Sequence, residues 1–344
     1  RTPPVDLENH YVRPIQIQEV FPNRNRQQVQ LNEIIFDMAY FPEERGAYNY
    51  NPDLTANGLL KNPRENFAAI TRAITSDIDF DNANVEYLEF WLMDPFLKGT
   101  NGRVIDGRLN TNNNTGADIY INLGNISEDI IPDGRHGFEN GLPKDGDITK
   151  TTVNPWGRVT NQQYLNNAFD NDADARPNQD VGYDGLKNSE EVRFASFLPF
   201  VNAVNAIVTN PDARQRIIED ISADNFDYFL GTEKDGSSLQ IIERYKRFNG
   251  MDGNTPLLTN VGENTPSSSN FPDNEDMNID NTISNVEGYY QYKIPLRPNQ
   301  LKVGNGYIIS QSTNTINGDE VSWYLFRVPI RNFQQKVGSI DGFK

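Results

Sequence analysis

The part of the sequence best suited to chemistry is an acidic run at residues 276–287. Its oxygen-bearing residues at positions one, three, five, seven and twelve are Asp276, Asn278, Asp280, Thr282 and Glu287. These positions supply the ligands in the twelve-residue calcium-binding loop, where short oxygen ligands and one bidentate carboxylate converge on the cation. We therefore expect these residues to form a metal site with Ca²⁺ as its cofactor.

Two features of this run depart from the calcium-loop pattern. Position six holds Asn281 instead of Gly, although Asn also tolerates the left-handed backbone conformation needed there. Pro272 precedes the run and a predicted strand follows it, so neither flank is helical. The alternative interpretation is a turn rich in Asp and Asn that leads into the strand.

A second acidic cluster begins in the same way, with Asp170, Asp172 and Asp174 at alternate positions. Ala175 and Val181 then stand where a calcium loop needs Gly and a bidentate carboxylate. We interpret this cluster as a solvated loop.

Catalytic chemistry has little support in the sequence. There is no Cys, and the two histidines, His10 and His136, have no second His nearby, which argues against a zinc centre or a Ser-His-Asp triad. Carboxylate pairs such as Glu86 and Glu89 are numerous, but no motif selects the defined pair that a glycosidase needs. We therefore predict that the protein is not an enzyme and has no catalytic residues.

The composition excludes further classes of function. The formal net charge is -17, from 48 acidic and 31 basic residues, whereas nucleic-acid binding and docking on anionic lipid both require a basic surface. Aromatic residues make up 11% of the chain, which argues against intrinsic disorder. No apolar run is long enough for a membrane-spanning helix, and the start at Arg1 leads us to expect a processed product or a fragment.

Strand patterns are concentrated towards the two ends of the chain. Apolar or alternating runs predict strands at residues 34–41, 85–93, 118–123, 289–296 and 321–330. Pro63 predicts the start of a helix, whereas residues 67–74 fit either a helix or a strand.

Helical spacing dominates the middle of the chain. Ser189 is a predicted N-cap, and the apolar residues that follow it keep helical spacing as far as Val208. Pro199 should kink or split this helix. Asn210 predicts the start of a second helix, and residues 239–248 predict a third.

Strands followed by helices and then strands again are typical of an insertion into a β domain. We predict a mainly β, jelly-roll-like β-sandwich formed by residues 1–150 and 266–344, interrupted by a mainly helical insertion at residues 151–265. The fold class is α+β overall.

Several strings of residues together resemble one protein family. They lie at residues 1–7, 44–50, 87–96, 120–143, 182–186 and 276–282. The longest, YINLGNISEDIIPDGRHGFENGLP at residues 120–143, is also the most specific. These strings are similar to the SprA/Sov family, the outer-membrane translocon of the type IX secretion system of gliding Bacteroidetes. The similarity keeps the same order and extends over nearly the whole chain.

The resemblance implies a much larger parent protein whose β-barrel channel exports folded proteins across the outer membrane. The chain would then be a soluble, non-catalytic cap or insertion domain beside the pore, with the extracellular side favoured over the periplasmic side. Its expected partners are other segments of the barrel protein, accessory secretion-system subunits and exported cargo proteins. The resemblance carries over no catalytic residue, and it carries over no metal ligand.

The alternative function is a carbohydrate-binding β-sandwich module of a cell-surface protein. Tyr87, Phe90 and Trp91 could form a sugar-stacking platform, although aromatic strands more often belong to a core. An exposed planar row that includes Trp91 or Trp323 would favour sugar binding, whereas burial of both rings would argue against it.

Overall fold

The core is built by two antiparallel sheets whose strands come from opposite ends of the sequence. This arrangement is seen in a computed structural model of the chain. The structure describes residues 4–24, 32–162, 168–231, 234–236, 239–248, 250–254 and 271–343.

The first sheet has the strand order β1–β9–β8. Its strands are β1 (Tyr87–Met93), β8 (Ile308–Ile316) and β9 (Asp319–Pro329). Strand β1 pairs with β9 along its full length, and the rings of the register partners Phe90 and Phe326 stack with centroids 5.1 Å apart. The predicted strands at residues 85–93 and 321–330 are therefore both present.

The second sheet has the order β10–β7–β4. Its strands are β4 (Ala117–Asn125), β7 (Gly288–Leu296) and β10 (Gln335–Gly338). Strand β7 alternates as its sequence predicts, because its apolar side chains are buried at every second position from Tyr290 to Leu296. These side chains share one core cluster with residues of β8 and β9, so the predicted α+β fold with a β-sandwich is confirmed.

Two short hairpins accompany the sandwich. One consists of β2 (Arg103–Ile105) and β3 (Asn110–Asn112), and the other of β5 (Thr151–Asn154) and β6 (Gly157–Thr160). The second hairpin lies inside the segment predicted as mainly helical. The domain boundaries stay a prediction, and the one at residues 265 and 266 falls outside the described residues.

The helices are short. They are α1 (Ile17–Val20), α2 (Arg176–Gln179), α3 (Asn188–Glu191), α4 (Leu198–Ile207), α5 (Pro211–Glu219) and α6 (Ile241–Arg244). Helices α4 and α5 bury one face each in a second core cluster with loop residues such as Leu54 and Leu186. Asn210 caps α5 as predicted, because its Oδ1 accepts hydrogen bonds from the amides of Asp212 and Ala213.

One of the two predictions about the start of the helical segment was wrong. Ser189 lies inside α3, which follows Lys187, and the chain turns again before α4 begins. The predicted split is present, because the helical run is divided into α3 and α4. Pro199 lies in the first turn of α4, where its missing amide hydrogen needs no partner within the helix.

Two predictions in the N-terminal part were also wrong. Residues 34–41 form no strand in the described structure, because no neighbouring strand pairs with them. Pro63 lies in a turn that does not continue into a helix, and residues 67–74 are neither helix nor strand. A local pattern cannot form a strand or an amphipathic helix without a surface to pair with or to cover it.

The position of the sandwich core predicts that two Phe→Ala substitutions differ strongly in their effect on the free energy of unfolding. Phe326→Ala should lower the free energy of unfolding by about 3–5 kcal/mol, because it empties a buried site stacked against Phe90. Phe36→Ala, at a ring that is 75% exposed, should change it by less than about 0.5 kcal/mol. Urea unfolding of both variants measures the difference, and equal losses would contradict this assignment of the core.

Candidate functional site

The predicted calcium loop adopts a chain of side-chain-capped turns. Asp276 accepts hydrogen bonds from the amides of Asp280, at 3.1 Å, and Asn281, at 2.7 Å. Asn278 accepts from the amide of Asp280 at 2.8 Å, and Asp280 accepts from the amide of Thr282 at 2.8 Å. Asn281 has the left-handed backbone conformation expected at position six, with φ 64°.

Position twelve of the loop is placed differently. The Glu287 carboxylate accepts a hydrogen bond from the amide of Ser127 at 3.1 Å. Among the described residues, the carboxylates of Asp276, Asp280 and Glu287 do not form a convergent group of metal ligands. The first seven positions therefore gather in successive turns, and calcium at this loop stays a prediction.

Buried glutamates hold this loop against the string at residues 120–143. The Glu128 carboxylate accepts hydrogen bonds from the amides of Met277, Asn278 and Ser284, each at 3.2 Å. The Glu275 carboxylate, directly before the loop, accepts hydrogen bonds from two amides of the string, those of Ile131, at 2.9 Å, and Gly137, at 2.7 Å. Two of the strings on which the family resemblance rests are therefore joined to each other.

Glu275 shows the electrostatic consequence of this arrangement. Burial raises the pKa of its carboxyl group to about 7, although the two amide hydrogen bonds oppose the shift. Hydrogen bonds to the charged form lower a carboxyl pKa, whereas loss of water raises it, and here the loss of water is larger.

Sequence reasoning missed a second acidic group, formed by Asp184, Glu191 and Asp224. All three residues are buried, and each offers a carboxylate oxygen that lies within 4.8 Å of the other two. Asp184 belongs to the family-like string at residues 182–186, which could have drawn attention to it. Glu191 falls in the first turn of the helix predicted to start at Ser189, where an acidic residue is common. Nothing in the sequence singled out Asp224.

The three carboxylates differ in their hydrogen bonds. Asp184 accepts from the amide of Leu186 at 2.9 Å and from the hydroxyl of Ser222 at 2.6 Å. Glu191 accepts from the amide of Ser222 at 2.9 Å through Oε2. Within the described structure, Oε1 of Glu191 and both carboxylate oxygens of Asp224 have no hydrogen-bond partner.

Burial dominates the electrostatics of this acidic group. It raises the pKa of Asp184 and of Asp224 well above the usual range, and the neighbouring carboxylates add to both shifts. Burial also raises the pKa of Glu191 to about 7. Arg45 lies near enough for its charge to act on Glu191 and Asp224, but its described hydrogen bonds go to the carbonyl groups of Asn49, Asp220 and Ile221.

The backbone brings two family-like strings together at this group. Tyr48, from the string at residues 44–50, accepts a hydrogen bond from the amide of Tyr183 at 2.8 Å through its hydroxyl. Gly182 has φ 68°, and a Cβ at this position would stand 2.2 Å from Oδ2 of Asp224 and 3.0 Å from the Tyr48 hydroxyl. A glycine is therefore needed for the chain to pass this close to the carboxylate.

The family assignment follows from comparison with known proteins. Residues 199–344 match the SprA_N family, described as motility related/secretion protein. The match covers the C-terminal part of the chain and supports its membership of the SprA/Sov family. The match covers Asp224 and the predicted calcium loop, and it confirms the resemblance seen in the sequence. None of the curated proteins compared with the chain matches it.

The match indicates a motility- or secretion-related protein. None of the helices in the described residues is long and apolar enough to cross a membrane.

The remaining candidate residues have local structural contacts. Asp170 forms an ion pair with Lys144, and Asp170 and Asp172 each accept a hydrogen bond from the amide two residues later, in an exposed loop. His10 is buried, where its Nδ1 accepts from Arg13 and its Nε2 lies 3.1 Å from a carboxylate oxygen of Asp319. His136 stacks on a neighbouring Phe ring in its loop.

Trp91 and Trp323 do not form the exposed surface that sugar binding would need. Trp323 is buried, and Trp91 is half-buried with its ring packed edge-to-face against Phe21 at 5.8 Å. Both rings contribute to a small core cluster beneath the first sheet. The geometry therefore gives the carbohydrate-binding alternative no exposed planar row from Trp91 and Trp323.

The role of Glu128 gives a direct prediction. Glu128→Ala should lower the free energy of unfolding by about 2 kcal/mol or more, because three amides lose a buried charged acceptor. Hydrogen exchange at the amides of Met277, Asn278 and Ser284 should accelerate at the same time. The matched control is Glu65→Ala at an exposed position, and unchanged exchange at the three amides in Glu128→Ala would refute the role.

Proposed function

We propose that the chain is a non-catalytic, water-exposed region of an outer-membrane protein-conducting channel that serves type IX secretion and gliding motility. The SprA-family match and the ordered strings along the chain support this proposal. The observation that carries it is a segment with exposed, alternating apolar side chains whose backbone forms no hydrogen bond among the described residues.

This segment, residues 34–40, exposes a large apolar side chain at every second position. The exposed fractions are 87% for Ile34, 75% for Phe36, 63% for Met38 and 42% for Tyr40. Alternation with period two is the pattern of a strand that buries one face. The apolar face of this segment, however, is open to water.

The backbone of the segment also lacks hydrogen-bond partners among the residues that the structure describes. Within the described structure, no backbone hydrogen bond joins residues 34–40 to any other segment. Residues 67–78 share this property, and they expose Phe67, Ile70, Ile74 and Ile78. Extended segments with free amide and carbonyl groups and an apolar face readily pair with other β-structure, and soluble proteins normally protect them.

We infer that other segments of the same channel protein cover these two stretches by adding strands beside them. The pairing would anchor the sandwich to the channel, on the extracellular side of the outer membrane. Accessory secretion subunits and exported cargo would meet the rest of the surface, where the net charge of -17 disfavours nonspecific adhesion between proteins.

A chromosomal double substitution, Phe36→Asp with Met38→Asp, tests this proposal in the bacterium that encodes the chain. Each buried charge should weaken the pairing by well over about 1.4 kcal/mol, which is a factor of ten in an equilibrium constant. We expect the amount of secreted protein in the medium, measured by mass spectrometry, to fall by about tenfold or more. The isolated chain should keep its unfolding free energy, because both side chains are exposed.

The control is the double substitution Val153→Asp with Val303→Asp, which adds the same charge at two other exposed apolar positions. It should leave secretion unchanged. Normal secretion by the Phe36→Asp and Met38→Asp strain, with the altered protein present at its usual level, would reject the proposed anchoring.

A further inference from the structure

We propose that Asp184, Glu191 and Asp224 bind a divalent cation, Ca²⁺, which joins the family-like string at residues 182–186 to α3 and to the segment that follows α5. This site is separate from the predicted loop at residues 276–287. It also stands independently of the proposed channel function.

The unpartnered oxygens carry this proposal. Asp224 is 1% exposed, yet neither of its carboxylate oxygens has a hydrogen-bond partner within the described structure. Oε1 of Glu191, a residue with 0% exposure, is also unpartnered. Buried polar atoms are nearly always satisfied, so three such oxygens at one place indicate a missing ligand.

The charge around these oxygens favours a bound cation. Two carboxylates in contact repel each other when both are charged, and burial removes the water that would screen them. The hydrogen bonds of Ser222 reach only Asp184 and Oε2 of Glu191. Arg45 supplies one positive charge, but its hydrogen bonds satisfy carbonyl groups.

The donor atoms select the type of cation. The three ligands are carboxylates with no His or Cys among them, which favours a hard cation over zinc or copper. The ligand oxygens lie within 4.8 Å of one another. Ca²⁺ suits a buried set of carboxylates better than Mg²⁺, because Mg²⁺ gives up its bound waters reluctantly.

The three ligands come from separate parts of the fold. Asp184 follows the glycine turn at Gly182, Glu191 ends α3, and Asp224 lies in the segment after α5. A cation shared by all three would join these elements directly. Because it would bind only when they are assembled, it should stabilise the folded chain.

Titration calorimetry of the full 344-residue chain with CaCl₂ alone tests the site. After treatment with a chelator, the wild-type chain should bind Ca²⁺, and Asp224→Asn should lose this binding. Glu191→Gln is a second variant that also removes charge while keeping size, and it should lose binding as well. Circular dichroism confirms that each variant is folded.

Thermal unfolding in chelator and in millimolar CaCl₂ is a second test. The proposal predicts how the melting temperatures of the wild-type chain and Asp224→Asn compare in each buffer. In chelator, Asp224→Asn should melt above the wild-type chain, because a buried, unpartnered carboxylate is lost. In CaCl₂ this difference in melting temperature should become smaller or change sign, since only the wild-type chain gains stability from the ion.

Asp280→Asn is the matched control in the predicted calcium loop, and it should retain binding at the buried site. Loss of binding in Asp280→Asn but not in Asp224→Asn would place the ion in the loop and overturn this proposal. Absence of Ca²⁺ binding, with the same melting temperature for the wild-type chain in both buffers, would also overturn it, because protons would then hold the three carboxylates together.

Discussion

The structure depends on the pairing of strands that are far apart in the sequence. β4 ends at Asn125 and β7 begins at Gly288, and these two residues are register partners in the second sheet. The chain therefore leaves the sheet after Asn125 and returns to it beside the same residue at Gly288. The pairing of β1 with β9 closes the first sheet in the same way, between the early and late parts of the chain. Both pairs must form before the core between the sheets exists.

Within the looped-out part of the chain, buried carboxylates add polar connections to the apolar contacts of the second core cluster. Glu128 and Glu275 have the simpler role, because backbone amides satisfy their oxygens and join two loops. Asp224 and Glu191 present the opposite case, in which buried oxygens lack protein donors. The first arrangement is complete within the chain, whereas the second requires a proton or a cation.

The sequence was a good guide wherever one local pattern was sufficient. The alternation in β7 and the Asn-Pro start of α5 predicted those elements, because a strand that buries one face and a capped helix both leave periodic or terminal signals. The prediction failed at residues 34–41, where the strand pattern is present but no partner strand lies beside it. Periodicity reports which face an element can bury and does not identify the surface that covers it.

The candidate sites show the same limit. The spacing of Asp276, Asn278 and Asp280 predicted a tightly turned loop, and the turns are present, but spacing could not show that Glu287 caps the amide of Ser127. The acidic group of Asp184, Glu191 and Asp224 was out of reach of any motif, because its members come from three separate elements. Only the tertiary fold brings such residues together.

The central claim is that this sandwich works as part of a channel-sized secretion protein. An immunoblot of outer-membrane fractions from the source bacterium, with an antibody raised against this chain, tests it most directly. The account predicts a band far larger than the chain's own 39.0 kDa that stays with the outer membrane. A soluble or secreted band near 39.0 kDa would contradict the channel assignment and indicate a free-standing protein.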